Sequence, residues 1–245
     1  MGTAPRPPVR IETVQAVGKH LLIAFADGLV LETHLRMTGS WHLYRTGETW
    51  QRPEWQRRVS VAVDDWIAVC FNAPIVRTWM RRAEDLAEAA PSMVRLGPDL
   101  CVIDTSSFDV FAATLDDVVE RVTALVEPDT QIADALLDQR IASGIGNVYK
   151  SEVLWACRVD PFAVASQVDP ATLRDLYQRA TVLLQANLGE GRRSTMTGGG
   201  LAVYGRRGRP CPRCGAPVRS IAQGKHRRST YWCATCQSPS PVSVP

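Results

Sequence analysis

The 245-residue sequence is short of several things, and each shortage removes a class of protein. No window approaches the ~20 uninterrupted apolar residues of a membrane span; the apolar run after Phe108 is broken by Asp116, Asp117, Glu120 and Arg121. The opening, Met1-Gly2-Thr3-Ala4-Pro5-Arg6, lacks an apolar export core, and Arg6 stands where a myristoylation signal needs Ser or Thr. A soluble, cytoplasmic chain without membrane contact is the expectation. Net charge is also small, 28 Lys+Arg against 25 Asp+Glu, which would argue against a polyanionic partner if the charges were evenly spread. They are not. No acid follows Glu190, while ten Lys and Arg do, so the last 55 residues carry +10 and the first 190 carry −7. Such a polarised chain has a basic end suited to phosphate. Lysine itself is scarce, at three residues (Lys19, Lys150, Lys225). Where arginine is the default cation, a lysine can be present because its amine can lose a proton. Lys19, at the start of a strand beside His20, is either such a group or a plain surface charge.

Between Ile11 and about Met80 the hydrophobic period is two. His20–Phe25 and Leu29–His34 flank the Gly-bearing turn Ala26-Asp27-Gly28, and Val59–Val63 and Trp66–Phe71 flank Asp64-Asp65. An antiparallel meander follows, hence a sandwich or barrel. The pattern then becomes helical. One helix follows caps at Asp104 to Ser107 and ends at Pro128; a second places Ile132, Leu136, Leu137 and Ile141 on one face. A third starts at Asn147 as N-cap and reaches about Cys157, and a fourth has Asp169 as cap, Pro170 in its first turn and Gly189 as its stop. Beyond Gly191 the sequence predicts a mobile Thr197-Gly198-Gly199-Gly200 segment, strands around Leu201 to Tyr204, and a cysteine module. The predicted class is α+β multidomain: an antiparallel β-sandwich (1–100), a helical domain (101–190), a loop and zinc finger (191–238) and a disordered tail (239–245).

Four of the seven cysteines form Cys211-Pro-Arg-Cys214, eighteen residues, then Cys233-Ala-Thr-Cys236. This spacing suits one tetrahedral Zn²⁺, with each knuckle supplying two thiolates. A closed four-thiolate site has no open position, so the zinc is expected to be structural. Cys70, Cys101 and Cys157 are expected to be small buried apolar residues. Between the knuckles, Gly224–Trp232 is a basic hairpin with aromatics, either a phosphate-gripping surface or a solvated loop. Gly144-Ile145-Gly146-Asn147 at a helix head is either a phosphate site or simply an interhelical turn.

Taken together these segments resemble one family. Gly18-Lys19-His20-Leu21, His34–Gly39, Leu96–Leu100, Leu137–Gln139, Gly144–Glu152, Val203–Arg206 and the four-cysteine finger follow the order of formamidopyrimidine-DNA glycosylase/endonuclease VIII enzymes. The chain is most similar to the endonuclease VIII branch of high-GC bacteria. The resemblance implies a helix-two-turn-helix domain between sandwich and finger, and base-excision repair of damaged double-stranded DNA, with oxidised pyrimidines as the favoured lesion. It implies a monomer associated with the bacterial nucleoid. It assigns Lys19 as the acid of β-elimination, Arg228 to phosphate binding and δ-elimination, and Glu152 as a supporting carboxylate. Asn147 and Arg95 fall on DNA-contacting positions, Lys225 and Arg227 flank Arg228 on the basic hairpin, and Arg36, Met37 and Thr38 form the wedge that fills the void left by an everted base.

The family's nucleophile is an N-terminal proline amine followed by an acid, and this sequence opens with neither, nor with the family's first helix and opening strand, so the resemblance implies a truncated sandwich over 1–100. Two explanations stand: a start placed too far downstream of a complete enzyme, or a truncated or inactive zinc-ribbon DNA-binding paralogue. The first is favoured because Lys19, Asn147, Arg228 and the four cysteines are all in place. As written, the chain is expected to be poorly active or inactive.

Overall fold

A computed structural model describes residues 8–17, 19–36, 38–81, 95–189, 191 and 193–238. Met37 and the predicted tail 239–245 lie outside the described residues. Two compact units divide the chain between Val94 and Arg95.

The first unit is built from β1 (Ile11–Val17), β2 (His20–Phe25), β3 (Leu29–His34), β4 (Ser40–Arg45), β5 (Arg57–Val63), β6 (Trp66–Phe71) and β7 (Ile75–Met80). They form antiparallel sheets ordered β1-β2-β3-β7 and β4-β6-β5. Both predicted hairpins are present, closed by the residues that read as turns. Gly28 takes a φ of +85°, which costs a glycine little, and the Asp27 carboxylate accepts the Leu29 N–H. Inward residues including Ile23, Leu31, Tyr44, Val69 and Phe71 are buried, and the Trp41 indole donates to Thr33 Oγ1 from one sheet to the other at 3.1 Å. Cys70 is fully buried as expected, whereas Cys101 and Cys157 are only partly so.

The chain passes between the two sheets at residues 35–39 and again at 72–74. These crossings are packed together: Thr38 Oγ1 donates to the Asn72 carbonyl, and a Cβ on Gly39 would stand 3.0 Å from the Ala73 Cα. Thr38 of the expected wedge is therefore braced by the neighbouring crossing, and the Gly39 N–H closes back on the Leu35 carbonyl at 2.8 Å.

The second unit opens on Leu96–Leu100, which docks on residues 139–143 through Gly97 N–H to Gln139 O and Ser143 N–H to Pro98 O. A Cβ on Gly97 would fall 2.1 Å from the Ile141 carbonyl oxygen, and backbone cannot yield that far. Gly97→Ala is expected to cost about 3 kcal/mol or more, read as a lowered urea midpoint at unchanged m-value.

Helix α1 (Phe108–Leu125) buries Leu115, Val118 and Val122, the 3-4 stripe of an amphipathic helix. The second predicted helix is corrected: α2 (Ile132–Ala135) is a single turn. Leu136, Ile141 and Ile145 are fully buried without helix. Local side chains take over backbone groups there, Asp138 accepting the Arg140 N–H and the Gln139 amide donating to the Leu137 and Ile145 carbonyls.

Helix α3 (Asn147–Ala156) has Gly146 as its N-cap, correcting Asn147 to the first helical residue. Helix α4 (Pro170–Gln185) is capped by Asp169, whose carboxylate accepts the Thr172 N–H at 2.9 Å. It stops short of Gly189. Asn187 ends it by turning its side chain onto the Leu183 carbonyl and onto both backbone groups of Ser194. No strand forms over Leu201–Tyr204, for a reason that lies on α3. The last hairpin pairs β8 (Arg219–Gln223) with β9 (Arg228–Trp232).

Candidate nucleic-acid interface and zinc centre

The four thiolate sulfurs of Cys211, Cys214, Cys233 and Cys236 all lie within 4.8 Å of one another, with Cys214–Cys233 at 3.4 Å and Cys211–Cys236 at 4.0 Å. A tetrahedron of ~2.3 Å Zn–S bonds has edges of about 3.8 Å, so the cage fits one Zn²⁺ closed to water. The Trp155 indole N–H points at Cys211 Sγ from 3.3 Å, an outer hydrogen bond suited to a thiolate. Arg213 clamps the same indole at 4.1 Å and donates to the Trp155 and Ala156 carbonyls.

Trp155 is one of several residues by which α3 organises its surroundings. Only ten residues long, the helix is buried from Tyr149 to Trp155 and carries a different partner on each face. Asn147 Nδ2 donates to the Ser229 carbonyl at 2.8 Å. Lys150 Nζ lies 2.7 Å from Thr230 Oγ1 and 3.4 Å from the same Ser229 oxygen, and Ser151 Oγ accepts the Tyr231 N–H. Three residues of one helix thus grip three consecutive residues of β9. The adjacent residue is Arg228, exposed and paired in register with Gln223.

Glu152 faces the other way. It is 1% exposed, and both its oxygens are used twice: Oε1 accepts the Val203 and Tyr204 N–H groups, Oε2 the Ala202 N–H and the Thr195 hydroxyl. These bonds replace the ladder that strands at 201–204 would have supplied. The glycine run predicted to be mobile is closed as a turn, with Thr195 N–H to Gly200 O and Gly199 N–H to Met196 O.

With Asn147's side chain turned onto the finger, the first-turn N–H groups of α3 remain the donors at the helix head. Gln139 shapes that head. Its amide oxygen accepts the Gly144 N–H at 3.2 Å while its nitrogen holds the Ile145 carbonyl. Gly144, at φ +107°, holds a backbone conformation that strains any L side chain, and a Cβ there would come within 3.3 Å of Leu184 and Cys101.

Burial is the main reason the Lys150 amine is pushed down to about 8, with Arg228 adding repulsion and Asp134 partly opposing it. A lysine with a lowered folded-state value binds fewer protons than the unfolded chain between about pH 8 and 10.5, so this residue's share of stability rises with pH in that window. Relative to Lys150→Met, the parent chain is expected to gain up to about 3 kcal/mol between pH 7.5 and 10.5 in denaturant titrations.

The finger tip is seated on the helical part. Gly224 has φ +72°, and a Cβ there would strike the Asp134 carboxylate at 2.2 Å. Lys225 reaches Glu127 at 3.4 Å, while Arg227, at φ 47°, is exposed. Arg95, where the second unit begins, is also exposed.

In the first unit Lys19 is exposed in the β1–β2 turn, immediately before β2. Hairpin register places His20 opposite His34, with rings 4.6 Å apart, and His20 Nδ1 is 2.6 Å from the buried Glu32 carboxylate. His34 Nδ1 accepts the Arg36 N–H, and Arg36 adopts φ 46° to bring this about. Burial, first, and the neighbouring His20, Arg36 and Lys19 charges hold His34 below the usual imidazole range. His34 is therefore a neutral ring with Nε2 carrying the proton, a donor beside Lys19 that the sequence reading missed. Its signal was available, since a turn centred on Asp27 pairs residue 20 with residue 34.

Residues 8–77 match the formamidopyrimidine-DNA glycosylase N-terminal domain, 111–198 the formamidopyrimidine-DNA glycosylase H2TH domain, and 208–239 the zinc finger found in FPG and IleRS. A probable endonuclease 8 2 of Streptomyces coelicolor is 38% identical over 230 residues, 91% of this chain and 78% of the relative. The chain belongs to the formamidopyrimidine-DNA glycosylase/endonuclease VIII family. The DNA-(apurinic or apyrimidinic site) lyase Nei2 of Mycolicibacterium smegmatis is 33% identical, covering 94% of this chain and 83% of its own length. The crystal structure of the Thermus thermophilus MutM (Fpg) protein superposes with a TM-score of 0.71 at 30% identity, over 95% of this chain and 85% of that one. The family fold is the sandwich, helix-two-turn-helix domain and finger described above, and its four cysteines hold one structural zinc. No helix among the described residues is long and apolar enough to cross a membrane.

Proposed function

We propose that this protein is a base-excision repair enzyme, a bifunctional DNA glycosylase/AP lyase that everts an oxidised base, removes it and cleaves the abasic strand. The observation that carries this reading is the convergence on α3 of an N–H-lined helix head, the strand carrying Arg228 and the Glu152-held 195–204 segment. A helix head offers phosphate both donors and a favourable dipole, and an arginine guanidinium adds a two-pronged partner.

Asn147 and the turn before it bind the phosphates flanking the lesion. Arg228 grips phosphate and serves the second elimination, and Lys19 supplies the proton during β-elimination, with neutral His34 beside it. Arg36, Met37 and Thr38 fill the space vacated by the everted base, while Arg95, Lys225 and Arg227 make outer backbone contacts. Glu152, with every lone-pair direction directed at the backbone and hydroxyl of 195–204, is a positioning residue. Oxidised pyrimidines in double-stranded DNA are the preferred substrate, and the enzyme works as a monomer on the bacterial nucleoid.

Incubation of the protein expressed from its native gene with a duplex bearing one abasic site, in borohydride, tests this reading. A covalent protein–DNA adduct, and a nicked strand when borohydride is omitted, are expected. Salt-sensitive duplex binding with neither adduct nor nick would establish the non-catalytic DNA-binding alternative instead.

A further inference from the structure

Arg193 belongs to none of the motifs named above, yet it is placed at the helix head. Its guanidinium lies 5.5 Å from the ring centroid of Tyr149, the third residue of α3 and so part of the first turn whose N–H groups face outward. Tyr149 is 8% exposed and fixed in the helical core, which makes its ring a rigid platform. Burial raises the Tyr149 hydroxyl above its usual range, and Arg193 opposes that rise from beside it. The arginine is itself exposed, and among the described residues no carboxylate forms an ion pair with it.

The backbone beneath Arg193 is fixed as well. Ser194, next in sequence, exchanges two hydrogen bonds of 2.7 and 2.8 Å with the Asn187 side chain, and Thr195 is tied to Glu152. Holding a long cation normally costs side-chain entropy on binding, and here the stacking and the pinned backbone have already limited it. A guanidinium stacked on a buried ring beside a helix N-terminus, with no carboxylate partner among the described residues, suits a phosphodiester oxygen.

We propose that Arg193 is a further DNA-backbone contact, holding a phosphodiester next to the head of α3 on the face opposite Asn147. This assignment rests on the proposed function, because it requires duplex DNA at that helix head. A role confined to packing on Tyr149 would leave the number of neutralised phosphates unchanged, so the deciding quantity is the salt dependence of binding.

Equilibrium binding to a duplex carrying one tetrahydrofuran abasic analogue, titrated across KCl concentrations, measures that number. Arg193→Gln is expected to reduce the magnitude of the slope of log K against log[KCl] by about 0.9, one phosphate contact. Arg174→Gln removes an arginine ion-paired to Asp116 and is expected to leave the slope unchanged. A wild-type slope in R193Q, or an equal reduction in R174Q, would overturn the assignment. Failure of the parent chain to bind the duplex at all would count against the proposed function instead.

Discussion

Removal of the zinc by a chelator is expected to abolish duplex binding, by at least about a hundredfold, while the helical signal of α1 and α4 persists. The finger contributes little apolar core: of the six buried members of the cluster beneath it, only Cys211, Val218 and Cys233 lie in the finger, and two of these are themselves metal ligands. So few apolar groups cannot offset the ordering of some thirty residues, and zinc ligation supplies the difference, on the order of 10 kcal/mol in isolated fingers. Loss of the fold disperses Arg227 and Arg228 and frees Ser229 and Thr230 from Asn147 and Lys150. The α1–α4 core is separate, with Leu115, Val118, Leu176 and Leu184 packed independently of the metal. Fluorescence anisotropy with far-UV circular dichroism, before chelation and after zinc is restored, checks both halves. Unchanged affinity in the chelated protein would contradict this account of the finger.

Glu152→Gln is expected to destabilise the second unit by about 3 kcal/mol and to open residues 195–204 to proteolysis, although it alters hardly any volume. Each carboxylate oxygen accepts two donors. Whichever way a glutamine amide is turned, its NH₂ must face two hydrogen-bond donors, and the lost charge weakens the remaining pair. Thr195→Ala, which deletes one hydroxyl donor and leaves the three N–H bonds, is expected to cost only about 1 kcal/mol. Urea melts of both variants and limited proteolysis give the comparison. A Glu152→Gln protein as stable as the parent would mean that the carboxylate does not hold this segment.

The contrast between these sites explains how much of the molecule was legible in the sequence. Hairpins at Asp27-Gly28 and Asp64-Asp65, the α1 stripe, the Asp169 cap and the cysteine spacing are local signals, and the structure carries them out. Even the His20–His34 pairing was implicit in the turn position. The misplaced features were set by distant partners. Leu201–Tyr204 is not a strand because a carboxylate some fifty positions earlier takes its N–H groups. Asn147 does not cap its helix because the Ser229 carbonyl, 82 residues on, captures its amide. Likewise α2 is one turn long because Asp138 and Gln139 divert the backbone into the turn that presents Gly144-Ile145-Gly146. Arg193 left no mark in the sequence beyond one more basic residue, since its platform, Tyr149, lies on another element.

The central claim is that the elements gathered on α3 grip DNA at a lost base. Competitive binding of one duplex with a tetrahydrofuran abasic analogue against the same duplex undamaged tests it most directly. The abasic duplex should bind at least about tenfold tighter, and Asn147→Ala should remove most of that preference. Equal affinity for the two duplexes would contradict the account.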